Sequence, residues 1–256
     1  MARQSNNLAS MESVDWSQYG AVLFDLDGVI TPTAVVHMAA WAELFNGYLS
    51  EHHPEQAPYT AADYFAHVDG KPRYDGVRDF LASRGIALPE GTSADPGSTL
   101  TVRGLGNRKN DAFNAVLDRD GVEPYAGSIV LLDHLRDIGK PLGVVSSSAN
   151  ARNVLEAAGL LDRFGTIVDG NVADELGLAG KPAPDTFVHA ASALGTAAAD
   201  AVVLEDAVSG VAAGAAGGFG LVVGVDRGAG QTALMNAGAD IVVSDLSHLV
   251  PGGELQ

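Results

Sequence analysis

The 256-residue chain contains no cysteine, which removes disulfide scaffolds, zinc–thiolate centres and thiol nucleophiles together. It is also poor in positive charge: 15 Lys and Arg stand against 32 Asp and Glu, a formal net charge of −17. Nucleic acids and anionic membrane surfaces are bound through basic patches, so neither is an expected partner. No apolar run approaches the roughly 20 residues that span a bilayer. The first twenty residues lack the apolar segment of a secretory signal, and a cytoplasmic location is the expectation. Lysine is scarce, with Lys71, Lys109, Lys140 and Lys181 the full set, so a lysine in a constrained setting points to a specific role.

What is present can build a sizeable core. Hydrophobic residues make up 46% of the chain, and its length suits one large domain or a core with a smaller companion. Residues 21–24 (AVLF) form an apolar strand that stops in Asp25-Leu26-Asp27-Gly28. Two ionised carboxylates this close repel, and a cation or a shared proton is the physical reason to keep them. From Tyr125 onward strands and helices alternate. The spacing predicts helices over 126–138, 150–158, 184–194, 207–216 and 230–237, and strands over 142–146, 166–168, 201–204, 221–225 and 241–244. This rhythm specifies an α/β fold, a doubly wound parallel sheet.

Between the first two strands lie about a hundred residues with helical spacing at 34–50, 60–67, 74–84 and 107–120, broken by a Gly-, Pro-, Ser- and Asp-rich loop at 88–99. A crossover needs only about 10–15 residues, so this stretch reads as an inserted all-helical domain over the carboxyl edge of the sheet. The expected organisation is a core of 15–32 and 123–256, a helical cap of 33–122 and a polar tail of 1–14.

Strands of a parallel sheet end on one edge, so the residues after them meet there. Those residues are Asp25 and Asp27; Ser146, Ser148 and Asn150; Lys181, between Gly180 and Pro182; and Glu205 and Asp206. They supply acids for a divalent metal, hydroxyls for phosphate oxygens and one fixed cation. Each has a plainer role open to it. Ser146 can cap the helix at 150, Glu205 and Asp206 can be acids at a helix N-terminus, and Lys181 can be a solvated charge. The glycine-rich run 214–220 lacks the Gly-Lys-Ser/Thr ending of a phosphate loop and reads as close helix–sheet packing. His52 and His53 read as a polar loop rather than a metal site.

In order and kind these segments resemble the haloacid dehalogenase superfamily of phosphotransferases, from about Ala21 to Val243. Within it, residues 24–31 (FDLDGVIT) with His37 following, Ser146-x-Ser148-x-Asn150, residues 181–185 (KPAPD), and Leu204–Asp206 with Gly210 resemble the β-phosphoglucomutase branch. The resemblance implies a Rossmann-like core under a helical cap, with Asp25 as the nucleophile that becomes an aspartyl phosphate. It implies Asp27 as general acid/base, with a backbone carbonyl that also binds Mg²⁺. Glu205 and Asp206 would complete the metal site, and Ser146 and Lys181 would hold the phosphate, with Ser148 and Asn150 beside them. From the cap, Arg73 aligns with an arginine that grips the distal phosphate, while Lys71, Lys109 and His37 fall in cap segments of the branch. Asp69 replaces a family lysine, Pro32 stands where many relatives carry Asp, and Ala149 where some carry Lys.

The implied activity interconverts β-glucose 1-phosphate and glucose 6-phosphate, with glucose 1,6-bisphosphate as intermediate and activator. A Mg²⁺-dependent sugar-phosphate phosphatase is the alternative, and a non-catalytic sugar-phosphate sensor a third reading. The expected partner is a small sugar phosphate. A monomer is the expected state, with a dimer as the alternative.

Overall fold

The computed structural model of the chain describes residues 14–251. Six strands, β1 Ala21–Phe24, β2 Leu142–Val145, β3 Thr166–Val168, β4 Ala201–Glu205, β5 Leu221–Val225 and β6 Ile241–Val243, form one sheet in the order β3-β2-β1-β4-β5-β6. Every pairing is parallel. The strands are continuous apolar runs, as a sheet covered on both faces requires. Their side chains divide between two cores. Val22, Phe24, Val144, Leu204 and Val223 face one side, and Leu23, Val145, Val203 and Val222 the other.

Among the described residues ten α-helices accompany the sheet: α1 Thr33–His52, α2 Ala61–Asp63, α3 Arg73–Ser83, α4 Val102–Asp120, α5 Ala126–Asp137, α6 Ala151–Ala157, α7 Gly170–Leu176, α8 Asp185–Ala193, α9 Val208–Ala216 and α10 Gln231–Ala237. Leu131, Leu132 and Leu135 of α5 and Leu155 of α6 cover the first sheet face; Phe187 of α8, Val211 of α9 and Leu234 of α10 cover the second. The predicted packing role of the glycine run holds at Gly214, where a Cβ would meet Val222 and Val203 at 3.2 and 3.3 Å.

The insertion between β1 and β2 carries a third core of its own, built on Trp41, Phe45, Tyr59, Phe80 and Leu105. Phe45 lies at its centre, with ring centroids 5.2 Å from Trp41, 5.1 Å from Tyr59 and 4.1 Å from Phe80. Helix α4 serves two masters: Leu105 packs inside the insertion, whereas Phe113 and Leu117 join the first sheet-face core.

Three boundaries differ from the sequence expectation, each for a local reason. Helix α4 begins at Val102 rather than 107, because Thr101 Oγ1 accepts the Gly104 amide at 2.9 Å and caps a turn that contains two glycines. A helix, α7, stands between β3 and α8, where the spacing predicts no element, started by Asp169 accepting the amides of Asn171 and Val172 at 3.0 Å. At the amino end, Val14 is buried and the Trp16 indole donates to the Leu249 carbonyl at 3.1 Å. The rest of the expected tail, 1–13, lies outside the described residues. Among the described residues no helix is long and apolar enough to cross a membrane.

Candidate active site

The strand order reverses at β1, since β2 and β3 lie on one side and β4 to β6 on the other. Crevices at such switch points are where open α/β sheets bind ligands. Here β1 delivers Asp25 and its neighbour β4 ends in Glu205 followed by Asp206, and the Asp25 amide donates to the Leu204 carbonyl at 2.9 Å. Lys181 reaches beneath both strands. Its Nζ lies 2.5 Å from Asp25 Oδ1, 2.7 Å from Glu205 Oε2 and 3.3 Å from the Val145 carbonyl. Burial disfavours a charged ammonium there, but the two carboxylates outweigh it and hold the Lys181 pKa above the usual lysine range. Lys181 is therefore no solvated charge, and Glu205 is more than a helix-start acid.

Asp25, Glu205 and Asp206 each offer a carboxylate oxygen within 4.8 Å of the others. One lysine cannot neutralise three buried acids. Burial, followed by the charge of Glu205, pushes Asp25 and Asp206 well above the usual carboxylate range. A hard divalent cation relieves that repulsion, and an all-oxygen donor set suits Mg²⁺. Two glycines make room for the acids. A Cβ on Gly28 (φ +95°) would lie 2.0 Å from Asp206 Oδ2, and one on Gly210 would lie 2.1 Å from the Glu205 carboxyl carbon.

Asp27 sits in the opposite electrostatic setting. Its Oδ1 accepts Thr33 Oγ1 at 2.5 Å and lies 3.3 Å from His37 Nε2, and its Oδ2 accepts Ser146 Oγ at 3.4 Å. Burial alone would raise its pKa; His37, Thr33 and Lys109 overcome this and bring it down to about 2. His37 stacks on Phe113 with centroids 4.0 Å apart, and its Nδ1 contacts the Lys109 ammonium. Lys109 is itself pushed down to about 7, chiefly by burial. The histidine thus combines packing with polar contact to the site.

The insertion lies over this edge and forms with it a cleft of about 230 Å³. Two hydroxyls of the core hold a turn of the insertion in place: Ser147 Oγ donates to the Gly70 carbonyl at 2.7 Å, and Ser209 Oγ to the Asp69 carbonyl at 3.1 Å. Asp25, Asp27, Ser146, Ser148, Glu205 and Asp206 line the cavity from the core, and His37, Lys71, Arg73 and Lys109 from the insertion. Lys181 and Asn150 stand one layer back. Asn150 Nδ2 donates to Asn110 Oδ1 at 2.6 Å and so ties the core to α4. Ser146 caps no helix; its hydroxyl accepts the Ser148 amide at 3.1 Å.

The expected cations of the insertion differ in how free they are. Lys71 Nζ is engaged by Asp79 at 2.6 Å, whereas Arg73 has a buried Nε without a hydrogen-bond partner. Asp69, the departure from the family lysine, lines the same cavity. Burial and then Glu205 raise its pKa to about 6, against a hydrogen bond from Tyr64. His52 and His53 lie beside Glu51 and Glu55 and do not line the cavity. Sequence reading passed over Trp41, Tyr64, Tyr74, Arg103 and Ser147, which also line it. Only Ser147, inside the serine run after β2, carried a local signal.

An acidic cluster at the switch point of a parallel sheet, covered by a helical insertion, is the plan of the haloacid dehalogenase-like hydrolases. Residues 19–218 match that family, and the chain belongs to it. Within it the chain is similar to β-phosphoglucomutases. That of Mycobacterium tuberculosis is 50% identical over 239 residues, 90% of this chain and 91% of the relative. That of Bacillus subtilis is 34% identical over 232 residues, again 90% and 91%. The solved structure of β-phosphoglucomutase from Clostridium difficile superposes with a TM-score of 0.71 at 25% identity, covering 91% of this chain and 93% of that one. Family membership implies Mg²⁺, and the buried acids at the head of the sheet fit it.

Proposed function

We propose that the chain is a β-phosphoglucomutase, interconverting β-D-glucose 1-phosphate and glucose 6-phosphate through an aspartyl phosphate on Asp25 and bound glucose 1,6-bisphosphate. The observation that carries the reading is the split environment of two carboxylates facing one cavity. Asp25 lies against Lys181 and the metal-type acids, and Asp27 lies against Thr33, His37 and the Lys109 beyond it. Half-sequence identity to β-phosphoglucomutases over nine-tenths of the chain supports the choice of branch.

In this reading phosphorylated Asp25 passes its phosphoryl group to a sugar hydroxyl while Asp27 takes the hydroxyl proton. The bisphosphate reorients, Asp25 attacks the other phosphorus, and Asp27 returns the proton to the departing sugar oxygen. Asp25, the Asp27 carbonyl, Glu205 and Asp206 would hold Mg²⁺, which would supply charge neutralisation for the phosphoryl group. Lys181 orients the Asp25 carboxylate and favours its ionised form, and Ser146 and Ser148 offer hydroxyls to phosphate oxygens. Residues 33–122 act as a cap on the core of 15–32 and 123–256, keeping water from the acyl phosphate. The enzyme acts as a cytoplasmic monomer on small sugar phosphates.

One reaction tests this: β-glucose 1-phosphate, Mg²⁺ and a trace of glucose 1,6-bisphosphate, assayed for glucose 6-phosphate and free phosphate together. Glucose 6-phosphate with little free phosphate is the expected result. Free phosphate without isomer would make the chain a phosphatase, and binding without either product a sensor.

A further inference from the structure

A substrate phosphorylated at both ends needs a cationic grip away from Asp25, and the insertion brings three cationic side chains to the cavity beside Lys109: Lys71, Arg73 and Arg103. They are not equivalent. Asp79 neutralises Lys71 at 2.6 Å. Arg73 has no carboxylate partner among the described residues, and its Nη2 meets only the Tyr74 hydroxyl, at 3.3 Å. Arg103 has its Nε 3.5 Å from a Glu90 carboxylate that Arg78 already holds at 2.9 Å.

Arg73 and Arg103 share one support. Their guanidinium carbons lie 4.8 and 4.5 Å from the centroid of the Tyr74 ring, which lines the cavity with them. The ring is fixed. Gly106 of α4 leaves it space, since a Cβ there would come within 2.7 Å of the ring. The Tyr74 hydroxyl donates to Asn107 Oδ1 at 2.8 Å, and Asn107 Nδ2 donates to the carbonyls of Ser93 at 3.1 Å and Asp95 at 2.8 Å. Two like charges held against one aromatic ring at the cavity wall are a preorganised site for a multiply charged anion, and the planar fork of arginine suits phosphate oxygens. On the core side, position 149 is alanine and adds no charge.

We infer that Arg103 is a second phosphate-binding residue, acting with Arg73 on the distal phosphate of the sugar, and that Tyr74 is the positioning residue for both. The inference rests on the proposed mutase reading and adds a residue that no motif in the sequence marks.

The test compares two phosphoryl donors in the full-length Arg103→Ala enzyme: β-glucose 1-phosphate with glucose 1,6-bisphosphate, and acetyl phosphate, which has no second phosphate. The quantity read is the fold loss in kcat/KM on the sugar divided by the fold loss on acetyl phosphate. Hydrogen bonds to a charged group predict a ratio of about 10 to 100, carried mainly by KM. Arg103→Lys should recover part of it, by restoring charge without the fork. A ratio near one, from no loss or from equal loss on both donors, overturns the assignment. If the wild-type enzyme turns over acetyl phosphate but not the sugar, the mutase reading has failed separately. Calorimetric binding of glucose 1,6-bisphosphate to wild type and Arg103→Ala then decides the residue: weaker binding to the variant supports it, and equal binding overturns it.

Discussion

Asp25 and Asp27 are two residues apart and differ in charge behaviour because their neighbours differ. Burial and then Glu205 push the Asp25 pKa up; Asp27 is buried as well, but His37 and Thr33 outweigh that and hold it down to about 2. With Asp25 as the proposed nucleophile, Asp25→Asn should abolish phosphoryl transfer, a loss of about 10⁴-fold or more. It should also melt at or above the wild-type temperature in Mg²⁺-free buffer, because it removes one of three mutually repelling carboxylates. Calorimetry with and without Mg²⁺ reads both states, and a clearly lower melting point would contradict the charge argument.

Lys109 carries a prediction of the opposite sense. Its folded pKa of about 7 lies below the ordinary 10.5, chiefly through burial. Between those values the unfolded chain holds a proton that the folded chain lacks, so stability from this residue rises with pH across that window, by about 1.4 kcal/mol per unit at most. Below pH 7 the full cost of a buried charge is present. Lys109→Met should accordingly be more stable than wild type at pH 6, by a few kcal/mol, and lose that advantage toward pH 10. Urea unfolding at pH 6 and pH 9 measures it; the same difference at both would refute the buried-charge account.

At the scale of elements, adjacent parallel strands and the helix after one of them fix the metal-type acids. β1 and β4 pair from Ala21–Ala201 to Phe24–Leu204, which sets the Asp25 and Glu205 termini side by side. α9 then passes so close that Gly210 leaves no room for a methyl group, which would lie 2.1 Å from the Glu205 carboxylate. Gly210→Ala should displace Glu205 from Lys181 and raise the Mg²⁺ concentration for half-maximal activity about tenfold. Overpacking should cost about 1–3 kcal/mol of stability as well. A Mg²⁺ titration that superposes on wild type would show that Glu205 moves freely. The local alternation made these elements legible in the sequence, and their ends fell within a few residues of expectation. The start of α4 and the whole of α7 escaped because capping by Thr101 and Asp169 outweighed the glycines and turn-formers around them.

For the molecule as a whole, the decisive relation is between the insertion and the sheet edge. Hydrogen bonds from Ser147 and Ser209 to the Gly70 and Asp69 carbonyls link the two, alongside Asn150 to Asn110. The double variant Ser147→Ala, Ser209→Ala loses two net bonds of about 1 kcal/mol each. It should exchange amide hydrogens faster around residues 64–73, and release more free phosphate per glucose 6-phosphate formed. Unchanged exchange there would mean that closure rests on packing instead.

Fold class and the gathering of acids, hydroxyls and one lysine at the strand ends are legible in the amino-acid order. Strand and helix periods are local, and a parallel sheet necessarily gathers its carboxyl ends on one edge. Asp25, Asp27, Ser146, Ser148, Lys181, Glu205 and Asp206 could be read together for that reason. What the insertion adds to the cavity emerges from long-range packing. Its contacts join residues 77 positions apart, as in Ser147 and Gly70, or 33 apart, as in Tyr74 and Asn107, and no period encodes such pairs. Packing alone turned Lys71 toward Asp79, sank Lys181 beneath the two carboxylates, and set Arg103 beside Arg73 on one tyrosine ring.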